Sequence, residues 1–156
     1  MRLALFQPDI PQNLGAAVRL GACLGVPIDI IEPCGFPLSD RAVRRAAMDY
    51  AEKAEVVRHA SWTRFLEAPG RSGGRLVLFT TRGAEPFHRF RFQPTDVLLF
   101  GRESAGVPFE AHEAADARLF IPLAHGARSL NVVNAAAMAL GEALRQTGGF
   151  HVDADT

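Results

Sequence analysis

The sequence has little of most things that would announce a special class of protein. Only Cys23 and Cys34 occur among its 156 residues. They are too few and too far apart for a C-x-x-C redox or zinc pattern, and both sit among apolar residues, so buried free thiols are expected. The five histidines, His59, His88, His112, His125 and His151, form no ligand pair at helical spacing, and no metal is expected. No apolar run approaches a membrane span, and Met1-Arg2-Leu3 leads straight into a strand pattern instead of a signal peptide. A cytoplasmic location without a membrane partner follows. The G-x-G-x-x-G fingerprint is missing after the first strand and no G-x-x-x-x-G-K-[ST] loop occurs anywhere, so NAD and ATP chemistry both lose ground. Net charge is zero, so no global field announces a nucleic-acid partner. Lysine is nearly absent too. Lys53 stands alone and the other basic residues are arginines, a skew that suits phosphate contact but that a genome-wide base bias would also produce.

What is there is a globular composition, 48% apolar and 22% charged, of a length that suits one domain spanning residues 1–156 and leaves no room for a separate RNA-reading domain. Apolar strands are expected at Arg2–Gln7, Ile28–Ile31, Glu55–Arg58, Leu76–Phe79, Val97–Phe100 and Leu119–Ile121. Helices alternate with them. The spacing of Leu14, Ala17, Val18, Gly21 and Leu24 predicts one over Asn13–Leu24, stopped by Gly25 and capped by Asn13. Ser39 or Asp40 caps a short helix through Arg41–Met48, closed by Asp49-Tyr50. Ser61 caps another through Trp62, Phe65 and Leu66. Phe109–Ala115 makes a fourth, Asn131–Gln146 a fifth, and an acidic tail then reads as a frayed end. Alternation throughout means an α/β fold, a mainly parallel sheet with helices on both faces.

In such sheets ligands bind beyond the carboxyl ends of the strands. Three glycine-containing loops share that position: Thr80–Gly83, Gly101–Gly106 and Ala124–Ser129. Glycine lets backbone come close to a ligand and leaves N–H groups free to bond it. The last loop runs into a helix that Ser129 or Asn131 can cap, so polar side chains and unpaired N–H groups face one small space at a helix N-terminus.

Three polar constellations stand out against this background: Asn13-Leu14-Gly15-Ala16-Ala17-Val18-Arg19, Phe100-Gly101-Arg102-Glu103-Ser104-Ala105-Gly106-Val107-Pro108, and Ser129-Leu130-Asn131. In this order and at these places the chain resembles the SpoU branch of the SPOUT superfamily of RNA methyltransferases. The segments Ile31-Glu32-Pro33-Cys34-Gly35-Phe36-Pro37 and Arg44-Arg45-Ala46-Ala47-Met48-Asp49-Tyr50 are similar to those of the small tRNA wobble-nucleotide 2′-O-methyltransferases (TrmL type). The resemblance implies S-adenosylmethionine (SAM) as methyl donor, a homodimer, tRNA and not DNA as partner, and a deep trefoil knot within about residues 75–147 that builds the cofactor site. It further implies that Phe79, Thr80, Thr81, Gly101, Glu103, Gly106, Ile121, Leu123, Ser129 and Leu130 hold the cofactor. Arg19 is implied at the reacting hydroxyl, with Asn13, Ser129 and Asn131 positioning the nucleotide and Glu103 orienting Arg19 or Asn13. Another tRNA position, ribosomal RNA, or a non-catalytic SAM- or RNA-binding module are the alternatives.

With no extra domain, RNA contact falls to Arg41, Arg44 and Arg45 on the short helix and to Arg82, His88, Arg89 and Arg91 around Phe87–Phe92, where Arg and Phe interleave as phosphate contact with base stacking would need. Ordinary surface arginines and an edge strand are the competing reading. The dimer contact is expected on the apolar faces of Leu14–Leu24 and of the final helix, Ala136 and Leu140 included.

Overall fold

The computed structural model describes residues 1–47, 50, 52–71 and 73–151. The expected helix end at Met48, Asp49 of the closing pair and the acidic tail lie outside the described residues. Seven strands, β1 (Arg2–Phe6), β2 (Ile28–Ile31), β3 (Val56–His59), β4 (Leu76–Phe79), β5 (Glu85–Pro86), β6 (Val97–Phe100) and β7 (Ala117–Phe120), form one sheet in the order β3-β2-β1-β6-β4-β7-β5. Every pairing is parallel. β4 and β6 are continuous apolar runs, β1 is one after Arg2, and β2 is buried throughout with Asp29 as its one polar residue, because a parallel sheet is covered on both faces.

Alternate side chains then divide into two cores. Leu3, Leu5, Ile28, Ile30, Val77, Phe79, Leu98 and Phe100 point to the side of α1 (Pro11–Leu24), α2 (Asp40–Ala47) and α5 (Val132–Thr147). Ala4, Phe6, Leu76, Leu78, Val97 and Leu99 point to the side of α3 (Trp62–Leu66) and α4 (Phe109–Ala114). On that second side Trp62 sets its ring edge-on to Phe6 at 5.6 Å. The expected α/β class, parallel sheet and two helical layers are all present.

Several local expectations are corrected. Asn13 does not cap α1: the helix begins at Pro11 with Ile10 as its cap, because proline's fixed φ and missing N–H suit a first turn, and Asn13 falls one turn in with its side chain free for other work. Gly25, in the left-handed conformation at φ 66°, does end it. Ser129 likewise is no cap, since Asn131 fills that position and accepts from Val133 and Asn134 N–H at 2.8 and 3.3 Å. The edge strand held as the competing reading around Phe87–Phe92 is found just before that stretch, as the two-residue β5, too short to carry an alternation. Cys23 is exposed rather than buried, because its helical phase puts it with Gln12, Ala16 and Arg19 on the outer face of α1. Cys34 is half-buried, and burial pushes its thiol up to about 11. Leu14, Ala136 and Leu140 are fully or nearly fully buried against the sheet, so they are core and not a dimer contact. The apolar side chains that α1 and α5 leave outside, beyond Pro11 at the start of α1, are Ala16, Cys23 and the 45%-exposed Met138.

Candidate active site

Strand order is what assembles the site. β6, β4 and β7 are neighbours in the sheet, so the loops that follow them, far apart in sequence, meet at one end. There they enclose a cavity of about 630 Å³. The ten residues Phe79, Thr80, Thr81, Gly101, Glu103, Gly106, Ile121, Leu123, Ser129 and Leu130 all line it, with Asn13 and Asn131. Two of the lining rings, Phe79 and Phe100, stack 4.9 Å apart with an interplanar angle of 11°. This apolar surface, set beside backbone and amide groups, is what a small polar cofactor with a flat aromatic part requires.

The glycines have steric reasons. A Cβ on Gly101 would lie 2.5 Å from the Gly106 backbone, and Gly106 itself sits at φ 67°. Between them Arg102 and Gly106 exchange backbone hydrogen bonds of 3.0 and 2.9 Å. The 101–106 loop is therefore closed on itself, with Glu103 and Ser104 at its turn. Gly126 takes φ 88° in the third loop, a region that residues with a Cβ rarely enter.

One hydrogen-bonded chain crosses the site. The Glu103 carboxylate accepts from the Asn13 amide (3.0 Å) and from the Asp9 backbone N–H (3.0 Å). Asn13 Oδ1 accepts from the Asn131 amide at 3.0 Å, and Asn131 Oδ1 accepts from the first turn of α5. Both ends of this chain fix its direction. A carboxylate only accepts and helix N–H groups only donate, so each amide has one orientation that satisfies both neighbours. After that accounting, each of the two asparagines keeps one N–H to offer a ligand in the cavity they line. Glu103 thus orients Asn13.

Arg19 is placed elsewhere. It lies six residues beyond Asn13, about 9 Å along α1 and about 120° around it, on the exposed face with its guanidinium 5.3 Å from the Tyr50 ring centroid. It is not among the residues lining the cavity.

The arginines expected to meet RNA form two groups. Arg41, Arg44 and Arg45 are exposed on α2, whose first turn is tied to β3 by Arg58, which reaches Asp40 at 2.8 Å and Glu32 at 3.0 Å. Arg82, His88, Arg89 and Arg91 are exposed near β5. Since β2 and β5 are five spacings apart in the sheet, the groups stand about 24 Å apart by strand geometry alone. The phenylalanines among them turn inward, contrary to the stacking expectation. Phe92 is buried, Phe90 packs on it at 5.1 Å under the Arg75 guanidinium, and Phe87 meets Phe79. The loop is held by Arg75, which forks onto the fully buried Asp96 at 2.9 and 2.8 Å, and by Gln146, which bonds the backbone of Phe90 and Phe92.

The sequence reading missed Asp9, Ile10, Arg102 and Arg128. Ile10, Arg102 and Arg128 line the cavity, and Arg102 and Arg128 stand next to motif residues, which was a usable signal. Asp9 lies in the short connection between β1 and α1, outside the three motifs. In the structure it accepts from Glu103 N–H at 3.2 Å and from the Ser104 hydroxyl, and its carboxyl is held down to about 2, first by the neighbouring Glu103 side chain and then by Ser104. Among the described residues no group of three or more His, Cys, Asp or Glu is gathered as metal ligands, and no helix is long and apolar enough to cross a membrane.

A parallel α/β sheet whose ligand cavity is made by three strand-end loops and a helix N-terminus defines a small-molecule-binding domain of the doubly covered type. The chain belongs to the SpoU rRNA Methylase family, whose model matches residues 1–141. It is 59% identical over 150 residues, 96% of this chain and 95% of the relative, to the tRNA (cytidine(34)-2′-O)-methyltransferase of Ancylobacter novellus. A solved structure concerned with the 2-OH methylation of C/U34 on tRNA superposes with a TM-score of 0.85 at 42% identity, covering 93% of this chain and 94% of that one. The SpoU methyltransferase AviRb from Streptomyces viridochromogenes, in complex with AdoMet, matches with a TM-score of 0.80 at 28% identity, covering 94% of this chain and 60% of that one. The resemblance read from the three motifs is borne out.

Proposed function

We propose that this chain is a tRNA methyltransferase that moves a methyl group from SAM to the ribose 2′-oxygen of the nucleotide at position 34, the wobble position of the anticodon. The observation that carries the reading is the cavity: the loops after β4, β6 and β7 bring together the residues assigned to the cofactor and add two amide donors to them. The cavity fits SAM in kind, with apolar side chains such as Ile121, Leu123 and Leu130 for the adenine, backbone and hydroxyl groups for the polar parts, and a volume within the range of about 300–1,000 Å³ usual for such ligands. When bound, SAM supplies a methyl on a positively charged sulfur, ready for displacement. The chain's share is to align the ribose hydroxyl with that methyl and to favour the developing alkoxide. The spare N–H groups of Asn13 and Asn131 are placed to hold ribose or phosphate oxygens, and Ser129 offers a hydroxyl at the same helix end. The resemblance's trefoil knot and its single-domain, cytoplasmic enzyme are part of this reading.

Arg19 acts as a hydrogen-bond donor and not as a base, because a guanidinium is always protonated. It anchors a neighbouring phosphate and stabilises charge on the reacting oxygen, while the hydroxyl proton leaves to phosphate or water. Its distance from its own cavity supports a homodimer in which each subunit's α1 faces the partner's cavity; the apolar outer residues Ala16, Cys23 and Met138 are suited to that contact. RNA contact falls to Arg41, Arg44 and Arg45 with Arg82, Arg89 and Arg91.

Incubation with radiolabelled SAM and bulk tRNA, followed by mass spectrometry of nucleosides and of the modified position, tests the reading. A 2′-O-methylated nucleoside at position 34 is expected. Label on a base, or at another tRNA position, overturns it.

A further inference from the structure

Asp9 lies outside all three motifs, yet it is the residue on which the site's hydrogen-bonded chain is hung. Its backbone N–H takes Glu103 Oε2 at 3.0 Å, and its carboxylate accepts from Glu103 N–H at 3.2 Å and from the Ser104 hydroxyl. Backbone and side chain of one residue thus grip both the carboxylate and the main chain of Glu103. Without that grip, Glu103 would be held only by the 101–106 turn and by the Asn13 amide it is there to orient. The Asn13 amide takes its direction from Glu103, and Asn131, oriented from its other side by α5, donates to Asn13.

Asp9 is itself braced from behind. The Gly35 N–H donates to the Pro8 carbonyl at 2.9 Å, and a Cβ on Gly35 would come within 2.6 Å of Asp9 Cβ and 3.0 Å of its Cα. The chain reaches this brace through Gln7, which adopts φ 45°, a left-handed conformation unusual for a residue with a side chain. The glycine of the Ile31–Pro37 segment, which has no part in lining the cavity, therefore has a use: it lets one loop press against the back of Asp9 while the other face of Asp9 holds the catalytic turn.

We infer that Asp9 is a positioning residue for the methyl transfer, which it serves by fixing Glu103 and, through it, the direction of the Asn13 amide that meets Asn131, with Gly35 as its backstop. The inference rests on the activity proposed above. Asp9 touches neither cofactor nor substrate in this account; it acts through Glu103.

The geometry makes a distinctive demand. Asparagine at position 9 keeps an oxygen to accept from Glu103 N–H and an amide that a rotated Ser104 hydroxyl can accept, so Asp9→Asn retains both contacts, whereas Asp9→Ala retains neither. Steady-state kinetics at saturating SAM and tRNA, with thermal melts on the same preparations, separate positioning from mere stability. Asp9→Ala is expected to lower kcat on the order of ten- to a hundredfold, as a loosened catalytic geometry does. Asp9→Asn is expected to stay within about threefold of wild type. Gly35→Ala, which pushes on Asp9 without touching its bonds, is expected to lower kcat in the same direction. If Asp9→Ala fails to fold, Ser104→Ala serves as the second variant, with a smaller drop in kcat expected from one lost contact. Unchanged kcat in Asp9→Ala, or in Ser104→Ala where that variant stands in, overturns the inference, as does a fall in melting temperature with kcat intact, or an Asp9→Asn variant as slow as Asp9→Ala. Failure of the wild-type protein to methylate tRNA is a separate result, and it counts against the proposed function instead.

Discussion

The cavity and the cationic surface of this chain are built in opposite ways. The cavity is walled by the loops after the neighbouring strands β6, β4 and β7, with Ile10 and Asn13 at the start of α1 and the first turn of α5, all from one chain. The cations are scattered: Arg19 is on the outer face of α1, the α2 arginines stand beside one edge of the sheet and those of the 82–91 segment beside the other. On the proposed reading, the difference separates two tasks: the cofactor residues meet within one copy of the chain, while the cations proposed for the RNA are spread over separate faces.

The sharpest way to break that contrast is Arg19→Ala. Methyl transfer is expected to fall on the order of a hundredfold or more while SAM affinity, read by calorimetry, stays unchanged; a loss of SAM affinity would put Arg19 in its own cavity and erase the distinction. The converse is Gly101→Ala, whose Cβ would overlap the Gly106 backbone. It is expected to remove SAM binding and activity together, and mixing it with Arg19→Ala should restore part of the lost activity if each subunit lends its arginine to the other. Absence of recovery in a mixture shown to contain heterodimers would falsify the exchange.

Replacing Arg41, Arg44 and Arg45 together is expected to raise KM for tRNA about tenfold and to flatten the salt dependence of RNA binding by up to about two in slope, without touching SAM affinity. The same test on Arg82, Arg89 and Arg91 decides whether both edges of the sheet take part. The smallest effect concerns pH. The folded-state pKa of Asp9 is held at about 2, below its ordinary value of 3.8, so its stabilising contribution is full above that ordinary value and drains away as pH falls toward 2. Melting temperature between pH 5 and pH 2 should therefore drop slightly less in Asp9→Asn than in wild type.

The same contrast runs through what the sequence made legible. Glycine-bearing strand ends, the Asn131 cap and the alternation of apolar strands and helices are local patterns, and they led to the parallel sheet and to all three cavity loops. Partners far apart in the chain left no such trace. The Asn13 side chain looked like a cap because a cap is what local rules offer an asparagine near a helix start; its real partners are Glu103 and Asn131, some ninety and more than a hundred residues away. Phe87, Phe90 and Phe92 read as stacking platforms because interleaving with arginine says nothing about which way a ring turns, and the core took them. Ala136 and Leu140 read as an outer face because one periodicity serves a dimer contact and a sheet contact equally. Asp9, sitting in a turn, had no periodicity to reveal it at all.

One packing detail carries a practical consequence. Trp62 is the sole tryptophan of the chain, and its edge-on partner Phe6 also lies 5.9 Å from the Arg102 guanidinium. Phe6 is followed by the segment that holds Asp9, and Arg102 belongs to the turn that holds Glu103. The molecule therefore carries a built-in optical probe: ultraviolet emission from a single indole, one ring away from the 101–106 turn, that reports on the surroundings of that turn without any attached dye.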